Sequence, residues 1–343
     1  MRQLISPKHA KQIIGKMRGR RLGVLGDWML DRYVWGTASR ISPEAAVPVV
    51  DYVKESDCLG GAGNVAANLA ALGARVEAFG ALGKDEAGES LKRRMHECKL
   101  GGHGLLEIAN RQTTVKTRII ARQQQVVRVD REVRTPLDEE WEAKLLKSLL
   151  TMLGKLNALV ISDYDKGIVT DSLAERVLEA SARLEVPVFI KPKWSRVTRY
   201  RGATVVAVNR KEAEFLVTNA LETEEAVREA GRRLLEHFGC AAVLITRSEK
   251  GLSLFEQDHA SPFHVAASNQ EQQLGLGAAA SGRQVFDVTG AGDTVLATMA
   301  LAAASGSSLR EAAVLGNAAA GVVVGKLGTA TLTREELWRS FRD

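Results

Sequence analysis

Between residues 137 and 247, short apolar runs alternate with amphipathic stretches of helical period, and no other feature limits the possible fold as much. A helical pattern at 137–153 precedes NALVISD (157–163). SLAERVLEASARL (172–184), VPVFIKP (186–192), TVVAVN (204–209), a helical stretch ending in EAVREAGRRLLEHF (225–238) and AAVLITR (241–247) follow. Apolar runs without polar alternation read as strands buried on both faces, and parallel strands covered by crossover helices meet that demand. The expectation is an α/β domain with a central, mostly parallel sheet flanked by helices. The N-terminal part keeps the rhythm. RLGVLGD (21–27) reads as a strand ending at Asp27, CLGGAGNVAANLAALGA (58–74) as a glycine turn and a helix closed by Gly73, RVEAFGALG (75–83) as a strand, and DEAGESLKRRMHEC (85–98) as a helix.

Two segments break this pattern. Residues 33–53 read as extended, with Pro43 and Pro48 excluding a continuous helix. Residues 111–131 carry β-branched residues interleaved with polar ones, as half-exposed strands do. Together they predict a small sheet standing apart from the main core. Residues 1–20 form a basic leader, and the polar, glycine-rich stretch 268–282 reads as a flexible insertion.

Composition narrows the class. A chain of 343 residues with 45% hydrophobic and 26% charged residues is an ordinary soluble protein. The net charge of +6 favours an anionic partner, but Lys and Arg are spread among the acids without a basic stripe, which favours small anionic substrates over nucleic acid. Cys58, Cys98 and Cys240 are odd in number and far apart, arguing against a disulfide framework or a thiolate zinc site. His96, Cys98 and His103 cluster in sequence, but across CKLGGH, which reads as a solvated loop. No apolar run suits a signal peptide or a membrane span, so the expected location is cytoplasmic.

In open parallel sheets, ligands gather beyond the carboxyl ends of the strands, where this chain places Asp27, Asp163, Asn209 and Thr246. Among the glycine motifs, Gly61-Ala62-Gly63-Asn64-Val65-Ala66 fits a loose dinucleotide pattern, but the charged run KESDCL separates it from any apolar strand. Gly321 to Lys326 lacks the spacing of a phosphate loop and reads as a helix end. FDVTGAGDT (286–294) admits two readings. Asp293 is either the N-cap of the apolar helix that follows or a proton acceptor beside an anion site made by backbone N–H groups of Gly290, Ala291 and Gly292.

DVTGAGDT (287–294) and GGAGNVAANLAALG (60–73), with NRKE (209–212) and TRSEKG (246–251) in order between them, resemble the two signatures of the ribokinase-like (PfkB) sugar kinases. Within that family, GDWMLDRYVWGTASRISPEAAVPVV (26–50), TRIIARQQQVVRVD (117–130), ISDYDKG (161–167) and VVGKLGTATL (323–332) look like the bacterial D-glycero-β-D-manno-heptose 7-phosphate kinases. The resemblance runs from about residue 22 to residue 337. It implies a ribokinase-like kinase domain over 21–338 with a small β-sheet lid built from segments near 33–56 and 111–131. The implied reaction moves the ATP γ-phosphate to the sugar 1-hydroxyl and gives the 1,7-bisphosphate for ADP-heptose and lipopolysaccharide core synthesis.

By the same resemblance, Asp293 is the catalytic base, and Gly290, Ala291 and Gly292 form the anion hole. Asp31, Gly60, Gly61 and Asn64 contact sugar hydroxyls, while Arg118, Arg122 or Arg128 clamps the distal phosphate. Asn209, Glu212, Thr246, Gly251 and Asn317 line the ATP site, Glu212 serves Mg²⁺ through water, and Asp287 belongs to a monovalent-cation (K⁺) site. A homodimer paired through the lid is also implied. Three features depart from the pattern: Lys191 stands where similar kinases carry an acid, Val208 precedes Asn209 where Pro is usual, and the 268–282 insertion lies just before the active segment. With no H-x-G-H element present, a partner adenylyl-transferring activity is expected on another protein. The rival readings are a family member acting on another sugar, sugar phosphate or nucleoside, a dinucleotide-dependent oxidoreductase, and a non-catalytic sugar sensor.

Overall fold

The apolar runs of the second half are strands whose successive side chains enter two separate cores. In the computed structural model, which describes residues 4–122, 124–193, 200–267, 288–326 and 328–342, the elements run as follows. They begin with α1 (Pro7–Lys16), β1 (Arg21–Gly26), β2 (Trp28–Ile41), β3 (Pro48–Gly61), α2 (Ala62–Ala71), β4 (Arg75–Gly83), α3 (Glu86–Glu97), β5 (Gly101–Ile108), β6 (Thr114–Ala121) and β7 (Gln124–Arg131). They continue with α4 (Glu139–Leu153), β8 (Ala158–Ser162), α5 (Asp171–Arg183), β9 (Val188–Lys191), β10 (Val205–Asn209), α6 (Arg210–Val217), α7 (Glu224–Phe238) and β11 (Ala242–Thr246). The remainder comprises β12 (Leu252–Glu256), β13 (Phe263–Val265), α8 (Ala291–Ala304), α9 (Leu309–Val323) and α10 (Arg334–Arg339).

The large sheet has nine strands in the order β13-β12-β11-β10-β9-β8-β1-β4-β5. Those from β11 to β5 are parallel, and β12 and β13 add an antiparallel edge. Ala158 and Val160 of β8, with Val205 and Ala207 of β10, face one core, shared with α2, α8 and α9. Leu159, Ile161, Val206 and Val208 face the other, shared with α4, α5, α6 and α7. Burial on both faces is why these strands show no polar alternation. β5, at the open edge, lies half exposed and is rich in glycine. His103 therefore stands in a strand, which corrects the reading of CKLGGH as loop throughout.

A second sheet, ordered β3-β2-β6-β7, pairs β2 with β6 in parallel and its other neighbours antiparallel. It leaves the main sheet through Asp27 alone, the one residue between β1 and β2, and returns at Gly61 directly into α2. Tyr52, Val53, Val127 and Val129 remain exposed on it. Within the segment read as a basic leader, α1 packs Ala10, Ile13 and Ile14 into the first core. The 268–282 insertion and Asp287 lie outside the described residues. No described helix is long and apolar enough to cross a membrane.

The carboxyl ends of the parallel strands are in register. Gly26 pairs with Ser162, Ser162 with Lys191, and Asn209 with Thr246. Chain order reverses between β1 and β8, which opens a crevice beyond those ends.

Candidate active site

Eight of the ten described helices begin with a Ser, Thr, Asp or Asn side chain accepting from the first turn; α2 and α8 do not. Their N-caps are Gly61 and Gly290, and neither helix has a side-chain cap. Asn64 in the first turn of α2 donates from Nδ2 to Oδ2 of Asp293 in the first turn of α8 at 3.0 Å, so the two starts meet. Two uncapped helix ends facing one space make it favourable to anions. Gly290 is required there. Its φ is +80°, and a Cβ would lie 2.5 Å from the Asn64 amide nitrogen.

The structure corrects the capping reading of Asp293. Gly290 is the N-cap, and Asp293 sits inside the first turn, 3% exposed, with its carboxylate turned into the crevice. Tyr164 donates its hydroxyl to Oδ1 and Oδ2 at 2.9 and 3.0 Å, and Lys191 donates from Nζ to Oδ1 at 2.7 Å. Lys191 also reaches the Tyr164 hydroxyl at 3.1 Å. Burial works against the Lys191 ammonium, but the Asp293 carboxylate and Tyr164 outweigh it and raise its pKa. Burial and the Asp293 charge likewise raise that of the Tyr164 phenol. Behind them, Asn68 donates to Asn64 Oδ1 at 3.2 Å and accepts from the Thr294 hydroxyl at 3.2 Å, fixing the amide that faces the carboxylate.

Asp31, on β2, forms the second carboxylate of the crevice. Arg118 of β6 donates to its Oδ1 at 2.6 Å, and the guanidinium stacks 5.4 Å from the Tyr33 ring centre. Burial raises the Asp31 pKa, Arg118 opposes the rise, and the charge of Asp293 adds to it, so the two acids share one electrostatic space. Gly60 borders the same acid: a Cβ would fall 2.5 Å from Asp31 Oδ2. Lys116, in register with Asp31, bonds Asp130 at 2.8 Å and Glu132 at 3.3 Å, and Lys166 from the main body reaches Glu132 at 2.8 Å. Burial resists the Glu132 charge, yet bonds from Lys166 and Arg134 hold its carboxyl down at about 2.

At the switch point, Asp27 is 1% exposed and accepts from the backbone N–H groups of Tyr164, Lys166 and Ile168 at 2.7, 3.2 and 3.3 Å. It thereby fixes the loop that carries Tyr164. Burial, aided by Asp163, pushes its pKa from 3.8 up to about 7. Between those values the folded chain keeps a proton that the unfolded chain has released, so Asp27 makes stability fall as pH rises from 3.8 to about 7. Urea midpoints measured from pH 4 to 8 should decline across that window and decline less in Asp27→Asn. Equal slopes in the two proteins would remove Asp27 as the source.

The structure brings Asp31, Gly60, Gly61, Asn64, Arg118, Gly290, Ala291, Gly292 and Asp293 to one crevice. It does not bring Arg122 there. That residue lies in the turn between β6 and β7, exposed, at the far end of the small sheet from Asp31. Arg118 is already engaged by Asp31, and Arg128 pairs with Asp130 at 3.0 Å. Asn209 and Glu212 form a capping box at the start of α6, with Glu212 Oε2 accepting from Asn209 N at 2.7 Å. Thr246 lies beside Asn209, and Gly251, with φ +82°, packs its backbone against Val265. Asn317 of α9 donates to the Ala266 carbonyl at 2.8 Å. Sequence reasoning missed Tyr164. Its position just past a parallel strand end, one residue after Asp163, was the available signal.

Comparison with known proteins shows the family and the fold. The pattern of the pfkB family carbohydrate kinases matches residues 22–336. A protein of Geotalea uraniireducens named Bifunctional protein HldE is 42% identical over 330 residues, covering 96% of this chain and 64% of its own length. A protein of the same name from Geobacter sulfurreducens is 43% identical over 314 residues, covering 92% and 61%. The chain thus spans less than two thirds of these relatives. Among solved structures, Escherichia coli phosphofructokinase-2 in complex with substrates and products aligns with a TM-score of 0.74 at 18% identity, covering 94% of this chain and 98% of that one. Arabidopsis thaliana ribokinase complexed with ribose and ATP aligns at 0.72 with 21% identity, covering 95% and 99%. These two likenesses establish the ribokinase-like fold.

Proposed function

The chain belongs to the pfkB family of carbohydrate kinases, and from that premise we propose that this ATP-dependent sugar kinase phosphorylates the 1-hydroxyl of D-glycero-β-D-manno-heptose 7-phosphate. The observation that carries the reaction type is Asp293, a buried carboxylate in the first turn of a helix with an uncapped, glycine-built start. Phosphoryl transfer needs positioning, cover for the moving charge and a proton acceptor, and this junction supplies all three.

In this reading the sugar lies between Asp31, Gly60, Gly61 and Asn64 on one side and Asp293 on the other. The γ-phosphate meets the N–H groups of Gly290, Ala291 and Gly292. The 1-hydroxyl oxygen forms a bond to the γ-phosphorus as the bond to the bridging oxygen breaks. ADP leaves with that electron pair, and the hydroxyl proton passes to Asp293. Asn209, Thr246, Gly251 and Asn317 border the path of the nucleotide along the sheet edge. Mg²⁺ would be held chiefly by the phosphates and waters, with Glu212 reaching it through water, because such ions take only one or two carboxylates. When bound, it neutralises charge on the phosphates.

The heptose assignment is supported by the resemblance of residues 26–50 and 117–130 to heptose 7-phosphate kinases and by the cations set around the Asp31 side of the crevice. A test is ADP release from Mg-ATP with the heptose 7-phosphate, fructose 6-phosphate, ribose and adenosine as acceptors. The expected result is turnover at least about a hundredfold faster with the heptose phosphate, the scale of several charge-assisted contacts. Faster turnover with any other acceptor discards the heptose assignment and keeps the fold. We also infer that the exposed Tyr52, Val53, Val127 and Val129 pair the small sheet with a second copy. Sedimentation of the same sample reads this directly, and a monomer at all concentrations refutes it.

A further inference from the structure

Lys191 ends β9, and its ammonium stands where the acid and the glycine-built helix start meet. Nζ lies 2.7 Å from Asp293 Oδ1, and the place a Cβ would take on Gly292 is 3.7 Å away. One cation therefore borders both the proton acceptor and the anion-favouring N-terminus of α8.

Two tasks compete for that ammonium. Paired with Asp293, it occupies the carboxylate oxygen that must be open to the hydroxyl proton. A terminal phosphoryl group delivered to the start of α8 carries more charge than a carboxylate and presents three acceptor oxygens. A compact ammonium on a flexible stem then favours the phosphoryl group. The Lys191 side chain remains 21% exposed, and it needs only a short displacement to change partner.

We propose that Lys191 is an exchanging cation: in the resting site it holds Asp293, and on nucleotide binding it moves to the terminal phosphoryl group of a nucleoside triphosphate, freeing Asp293 to accept the sugar proton. This rests on the kinase reading and goes beyond it. The base becomes competent only when a phosphoryl donor is loaded, and the site distinguishes a triphosphate from a diphosphate, which lacks the group that draws Lys191 away. Other charged or titratable groups facing Asp293 are Tyr164 and, through the shared crevice, Asp31 with its partner Arg118. None of these borders Gly292 as Lys191 does.

The test is calorimetric titration with ATP and with ADP, without sugar, so that no turnover is needed. Wild-type protein should bind ATP about tenfold or more tighter than ADP, the order expected for one charge-assisted contact. Lys191→Met should remove that preference by weakening ATP and leaving ADP unchanged, and Lys191→Arg should restore part of it. A purely structural role would lower both affinities alike, together with the melting temperature, and would overturn the proposal. So would a wild-type protein that binds ATP and ADP equally, a result that needs no variant. Wild-type protein that binds neither nucleotide sinks the kinase reading and this proposal together, whereas an unchanged ATP preference in a folded Lys191→Met variant sinks this proposal alone.

Discussion

Asp293→Asn should lower turnover by about three orders of magnitude or more while leaving the fold and ATP binding nearly intact. The magnitude is that of losing a positioned general base. The fold survives because the amide keeps an acceptor oxygen for Lys191 and Tyr164, which now approach the carboxylate at 2.7 to 3.0 Å. Steady-state ADP release should show a fall in kcat, with the KM for ATP changed much less, since the group acts on the proton and not on the nucleotide. Calorimetry on the same variant checks that ATP still binds. A variant with near wild-type kcat would take the base away from Asp293 and leave the helix start as an anion site only.

The second large effect concerns the Asp31–Arg118 pair. Arg118→Met removes the partner of a buried carboxylate, a change that can cost about 3 to 5 kcal/mol when the remaining charge is trapped. Here the loss should fall at the lower end, because Asp31, whose pKa is already raised by burial, can take up a proton instead of standing as a bare anion. A protonated Asp31 presents a different hydrogen-bonding pattern to a sugar hydroxyl, so the KM for sugar should rise by about a hundredfold or more. Combining Arg118→Met with Asp31→Asn should recover much of the stability and none of the sugar affinity. Denaturant unfolding and sugar KM on the three variants read these outcomes separately. Recovery of both together would mean that the pair only holds the sheet, and that sugar recognition lies elsewhere.

The parts of this molecule that sequence displays are those governed by period. Two-sided burial leaves β8, β10 and β11 as unbroken apolar runs, and these predict the sheet directly. The partly buried β6 and the exposed β7 betray a second sheet through β-branched residues interleaved with polar ones. β5 stays hidden because an edge strand of glycine, histidine and few apolar residues carries little periodic signal. The helix α1 is masked in the same way by its basic surface, although three of its residues enter the core. At the site, the glycines just before Asp293 point to it, and crowding against the Asn64 amide selects glycine at Gly290, whereas Asp31 has no such neighbour in sequence and is reached only by family resemblance. Lys191 is visible as a departure from pattern but not as a partner of Asp293, since that contact joins residues 102 positions apart. Tyr164 shows only its place past a strand end, because a hydroxyl aimed at a residue 129 positions away imposes no spacing on its neighbours.

The bond from Asn64 to Asp293 spans 229 residues of chain, longer than either sequence separation just described. Contacts of such range carry a large loop-closure penalty and form slowly unless intervening structure has already drawn their ends together. Here the intervening structure is most of the parallel sheet, together with β6 and β7 of the second sheet. The carboxylate and the amide therefore meet only after nearly the whole chain has found its place. That contact should therefore form late in folding, and a partly folded chain would hold Asn64 and Asp293 apart.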